Sequence, residues 1–129
     1  MRYLLIALFG LAGVFSRYGL GLGIPRLLPG AFPSATLLIN LLGCFLIGVV
    51  YVLGQHRLSE GLQDLWLAVV VGFLGGFTTF SSYGLDSFKL IEGGQAMKGL
   101  AYFILSPVLG LACTFAGAGL ARLASRLVP

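Results

Sequence analysis

Four long apolar runs separated by short polar joints dominate this chain, and they leave it few folds to choose from. An α-helix needs roughly twenty residues to cross about 30 Å of hydrocarbon. The first run covers about Tyr3 to Gly23 and is closed by Pro25, Arg26 and Pro29-Gly30. The second covers about Pro33 to Gly54, before Gln55, His56 and Arg57. A joint holding Ser59, Glu60 and Asp64 leads into the third, about Leu65 to Leu85. The fourth, about Lys98 to Leu123, follows a joint with Lys89, Glu92 and Gly93-Gly94. The runs are continuous rather than alternating, which excludes the strands of a β-barrel. The pattern predicts an all-α membrane protein with four transmembrane helices, over residues 3–23, 33–54, 65–85 and 98–123, in a single domain spanning residues 1–129.

Composition supports a lipid environment. Only 9% of the 129 residues are charged, against 58% hydrophobic, and a soluble domain carries roughly a quarter charged. The start, Met1-Arg2-Tyr3 followed by Leu4 to Gly13, imitates a signal peptide. It lacks a small-x-small cleavage site, and the residues beyond it are equally apolar, so it reads as the first span. The formal charge of +4 comes from Lys and Arg scattered between the runs. That forms no basic patch for nucleic acid and suits interfacial anchors. Cys44 and Cys113 lie inside spans and belong to no CxxC pair, so both read as inert thiols.

The third run departs from ordinary lipid-facing helix. After Leu65 to Val71 it continues Gly72-Phe73-Leu74-Gly75-Gly76-Phe77-Thr78-Thr79-Phe80-Ser81-Ser82-Tyr83-Gly84, rich in glycine and hydroxyl residues. Two arrangements are open. One is a helix broken at mid-membrane, exposing carbonyls and N–H groups that bind ions. The other is a continuous helix with a small-residue packing face, Gly72 and Gly76 forming a GxxxG step.

Three further features put polar chemistry inside the bilayer. Arg17, late in the first span, costs roughly 2.5–3.5 kcal/mol unless it snorkels or finds partners. It reads as an interfacial anchor, an electropositive vestibule or a clamp on carbonyls. Asn40, mid-way along the second span and on one face with Gly43, either glues helices or donates its amide to a desolvated anion. In the fourth span Tyr102, Ser106, Gly110, Cys113 and Gly117 share a face. Pro107 removes a backbone donor there and frees the Phe103 carbonyl. Phe80 and Tyr83 are three apart and share a face, where ring edges carry positive quadrupole.

What is missing matters as much. No carboxylate lies at mid-depth in a span, although a proton-coupled exporter of cations or amphiphiles, the alternative class for a small four-helix chain, needs one. The single histidine, His56, sits in a joint, and no nucleophile–base pair supports catalysis, so the chain reads as no enzyme. Gly19-x-Gly21-x-Gly23 follows no strand and precedes Pro25, which rules out a dinucleotide loop.

Three stretches carry a family resemblance: Gly10-x-x-Gly13-x-x-x-Arg17-Tyr18, Thr36-Leu37-x-x-Asn40-x-x-Gly43-x-Phe45, and Gly72-Phe73-x-Gly75-Gly76-Phe77-Thr78-Thr79-Phe80-Ser81. In order and spacing they resemble the signatures of the Fluc fluoride channels, formerly called camphor-resistance proteins. The resemblance implies a fluoride-selective channel that passively exports toxic cytoplasmic F⁻ across the bacterial inner membrane. It implies a homodimer of antiparallel, dual-topology subunits with two pores. It also implies that the third helix is broken near residues 75–79, with a structural Na⁺ held by the backbone carbonyls of Gly75 and Thr78 from each subunit. Asn40 matches a pore amide, and Phe80 and Tyr83 match the phenyl box. Thr79 and Ser81 match hydroxyls beside the box, Tyr102 and Ser106 a polar track, and Arg17 a vestibule arginine. Tyr83 stands where the family has a second phenylalanine; it keeps the ring edge and adds a hydroxyl. Leu11 stands where many members have another glycine.

The charges agree with dual topology. Arg2, Arg57, Arg122 and Arg126 fall on one side, and Arg26, Lys89 and Lys98 on the other, with Arg17 near the same end of its span: four against four, or four against three without Arg17. Such a balance gives insertion little orientational bias.

Overall fold

The computed structural model describes residues 1–54 and 60–127; the joint carrying His56 and Arg57 lies outside them. The elements are α1 (Arg2–Leu27), α2 (Ser34–Leu53), α3 (Glu60–Leu67), a π-helical stretch (Ala68–Leu74), α4 (Gly75–Phe77), α5 (Phe80–Glu92) and α6 (Ala96–Leu127). Among the described residues, four segments are long and apolar enough to cross a membrane: Arg2–Leu27, Ser34–Leu53, Gly61–Glu92 and Ala96–Leu127.

Helix boundaries run past the apolar runs, for local reasons. Pro25 does not end α1, because it lies in the last turn, where it removes only one bond. The third segment continues beyond Leu85 because α5 is amphipathic, with Tyr83, Ser87 and Leu90 buried at helical spacing. It stops in a Schellman motif: Gln95 N–H donates to the Leu90 carbonyl (2.9 Å) and Gly94 N–H to that of Ile91 (3.1 Å). Gly94 has φ +78°, a left-handed conformation natural to glycine. That turn lets α6 begin at Ala96, earlier than the apolar run.

Packing relies on small residues, since lipid tails offer no hydrophobic drive for helices to associate. The main helix pairs are α2 with α6, α1 with the π-helical stretch and α4, and α5 with α6. A Cβ on Gly117 would collide with the Phe45 carbonyl, and one on Gly13 with that of Phe73. Gly72 and Gly76 both turn toward α1, where a Cβ would come within 2.6 Å of the Ile6 and Gly10 carbonyls respectively. The GxxxG face therefore exists, and it docks α1. At the ends, Trp66 Nε1 donates to the Val50 carbonyl (3.3 Å) and Arg2 pairs with Asp64 (2.6 Å). Leu8, Leu11, Phe15, Phe103, Leu109 and Phe115 point outward, as lipid-facing side chains do.

Candidate functional site

Helix geometry stops at Phe77 and resumes at Phe80. Between them Thr78 (φ −92°, ψ 160°) and Thr79 (φ −150°, ψ 117°) are extended. Interrupted backbone surrounded by apolar helices must find replacement partners. Two side chains from elsewhere, and one within the segment, supply them. Asn40 of α2 forms a reciprocal pair with Thr79: its Nδ2 donates to the Thr79 carbonyl (3.0 Å), and Thr79 N–H donates to its Oδ1 (2.9 Å). Arg17 Nε of α1 donates to the Gly76 carbonyl (3.1 Å). Thr79 itself caps α5, its Oγ1 accepting from Ser82 N–H (3.2 Å).

These bonds leave two carbonyls without their helical donors. In a continuous helix the Gly75 carbonyl would receive Thr79 N–H, which goes instead to Asn40. The Thr78 carbonyl would receive Ser82 N–H, which goes instead to Thr79 Oγ1. Thr78 N–H and Oγ1 both still point back to the Leu74 carbonyl (3.0 and 2.9 Å).

A cavity of about 560 Å³ opens beside the interruption. Asn40, Gly75, Thr78, Thr79, Phe80, Tyr83 and Ser106 line it, so most of the residues singled out in the sequence converge. Among the described residues, no charged side chain does. Tyr102 is one ring further out, buried against Tyr83 with centroids 5.6 Å apart. Phe80 and Tyr83 are 5.3 Å apart and tilted by 44°. Two hydroxyls on this side, Tyr102 Oη and Ser106 Oγ, are buried next to each other, with no partner from any other described residue. Ser81 is not in the cavity wall; it is exposed, 3.3 Å from Thr79 Oγ1.

Arg17 lines a second cavity, of about 620 Å³, with Tyr18, Thr36, Thr79 and Ser82 among its walls. Thr79 borders both cavities. Sequence reasoning missed the pair between Thr36 Oγ1 and Asp86 Oδ2 (2.6 Å), which ties α2 to α5. The available signal was an acidic residue on an otherwise apolar run with a threonine one span away. Thr114 and Pro107 also line the first cavity and were not assigned there.

Comparison with known proteins agrees with these motifs. Residues 4–118 match the family model described as CrcB-like protein, Camphor Resistance (CrcB). A relative from Thermus thermophilus is 46% identical over 116 residues, 90% of this chain and 90% of its own length. One from Solibacter usitatus is 44% identical over 123 residues, covering 95% and 99%. One from Rhizobium etli is 42% identical over 122 residues, covering 95% and 97%. Each of these relatives is named a fluoride-specific ion channel.

Proposed function

The chain belongs to the CrcB-like, camphor-resistance family, and from that premise we propose that it is a fluoride-selective channel letting cytoplasmic F⁻ leave passively across the bacterial inner membrane. The observation that carries this reading is the pair of buried hydroxyls, Tyr102 Oη and Ser106 Oγ, which have only each other and so one O–H left over, beside a cavity with no carboxylate among its described lining residues. A buried hydroxyl without a partner costs roughly 1–3 kcal/mol. A small anion that accepts from it removes the penalty. Fluoride holds its water tightly, so it enters only where donors replace that water. Asn40 has a second N–H beyond the one given to Thr79, and the edges of Phe80 and Tyr83 add positive quadrupole. Arg17 supplies positive potential at the second cavity, where anions gather before entry.

The test removes both hydroxyls. Tyr102→Phe with Ser106→Ala should slow fluoride efflux from liposomes about tenfold or more, the equivalent of roughly 1.4 kcal/mol. Unchanged efflux would detach the hydroxyls from the pathway.

The interruption at Thr78–Thr79 is the mid-membrane break of the third span in this reading, and the main-chain carbonyls of Gly75 and Thr78 would hold a structural Na⁺ there. Gly75 and Thr78 suit that role because both carbonyls lack helical donors, and Gly75 is exposed. A hard cation takes oxygen ligands of this kind. Such an ion would supply positive potential for anions beside the cavity. A second copy of the chain, antiparallel to the first, supplies the other two carbonyls. It also covers Phe80, which is 82% exposed on a single chain.

A further inference from the structure

Pro107 and Tyr83 solve one problem between them. A proline in a helix interior has no N–H for the carbonyl four residues back, and its ring pushes that carbonyl aside. In α6 the carbonyl concerned is Phe103. Inside a membrane no water is at hand to satisfy it. Tyr83 of α5 donates its hydroxyl to this carbonyl at 2.5 Å. The same ring stacks on Phe103 (centroids 5.7 Å, 11° between planes) and tilts against Phe80 and Tyr102. The Tyr83 backbone is tied as well, since its carbonyl accepts from Ser87 Oγ (2.8 Å).

We propose that Tyr83 is a positioning residue that works as a pair with Pro107: the hydroxyl takes the carbonyl the proline frees, and the bond fixes the aromatic edge presented to the ion pathway. A phenylalanine keeps the ring and leaves the Phe103 carbonyl bare. An unkinked helix keeps the carbonyl satisfied and leaves the hydroxyl without a partner. Each residue is therefore favourable only in the presence of the other. The hydroxyl is also held away from the pathway, so the cavity meets this tyrosine as a ring. The effect on conduction rests on the fluoride-channel reading; the pairing itself does not.

A double-mutant cycle separates the two. Tyr83→Phe alone should lower the melting temperature of the purified protein by about 2–4 °C, the size of one unmade buried hydrogen bond. It should also slow fluoride efflux from liposomes several-fold. In a Pro107→Ala background, where the new N–H takes the Phe103 carbonyl, the same change should no longer lower the melting temperature. Equal losses in both backgrounds would overturn the pairing. Coupling in melting temperature without any effect on efflux would keep the bond and overturn the positioning role.

A spectroscopic measurement covers the case in which Pro107→Ala fails to fold. Phe103–Ile104 is the only Phe–Ile pair in the chain. Carbonyl-¹³C phenylalanine with ¹⁵N isoleucine therefore isolates the Phe103 carbonyl in an NMR spectrum. That resonance should move on Tyr83→Phe; a resonance that stays in place would overturn the pairing.

Discussion

An asparagine amide has two N–H donors and an oxygen with two lone pairs. Asn40 gives one donor and one acceptor to Thr79, whose backbone has lost its helical partners. The side chain therefore holds the interruption open and keeps a donor in reserve beside the cavity. Asn40→Asp preserves the shape and the bond from Thr79 N–H, but it removes both donors and adds a negative charge. At an effective dielectric of about 20, like charges 4 Å apart repel by roughly 4 kcal/mol. Fluoride efflux should fall by about two orders of magnitude or more. Full efflux in the Asp variant would return Asn40 to a purely structural role. The polar character of Asn40 was plain from its place in an apolar run. Its partner was not, because Thr79 lies 39 residues away and contributes backbone rather than a side chain. The same holds for Arg17: the sequence left anchor, vestibule and clamp open, and the bond to the Gly76 carbonyl makes it a clamp that also lines a cavity.

Among the elements, the segment from Glu60 to Glu92 shows what composition conveys and what it does not. Its glycines and threonines left a packing face and an interruption as alternatives. Gly72 and Gly76 dock α1, and Thr78 and Thr79 are extended just beyond. Composition registers the weakness of the helix, whereas the point at which it yields depends on which neighbours supply donors and acceptors. The ends of the helices were less legible, since the apolar run marks the bilayer and caps such as the Gly94 turn mark the helix. The proposed Na⁺ site predicts an asymmetry between its two residues. Within one chain a Cβ on Gly75 meets nothing closer than the Val70 carbonyl at 3.9 Å. If the proposed second copy packs against this glycine, Gly75→Val should nevertheless abolish Na⁺-dependent stabilisation, because the added side chain would obstruct that copy. Thr78→Val keeps the main-chain oxygen and the methyl packed near Gly43, and should retain that stabilisation. Equal melting temperatures in Na⁺ and in N-methylglucamine for the wild-type protein would contradict the ion site.

At the scale of the molecule, one chain is a thin object. Few residues of its spans are buried, and Phe80 and Gly75 meet the surface near the interruption. Four apolar runs were enough to read the four candidate spans, because the bilayer sets element length directly. The proposed antiparallel pairing rests on a fainter signal, the balance of Lys and Arg between the two sides. An antiparallel pair requires both orientations. Topology reporters fused to the C-terminus should therefore report both sides of the membrane in comparable amounts, and a C-terminus found on one side alone would contradict dual topology. The central claim is anion selectivity, and it is tested most directly by efflux from liposomes reconstituted with this protein alone. Liposomes loaded with potassium fluoride or potassium chloride, and given valinomycin to carry the counter-charge, should release F⁻ rapidly and essentially no Cl⁻, with no proton gradient imposed. Comparable release of Cl⁻, or fluoride release only when a proton gradient drives it, would contradict the account.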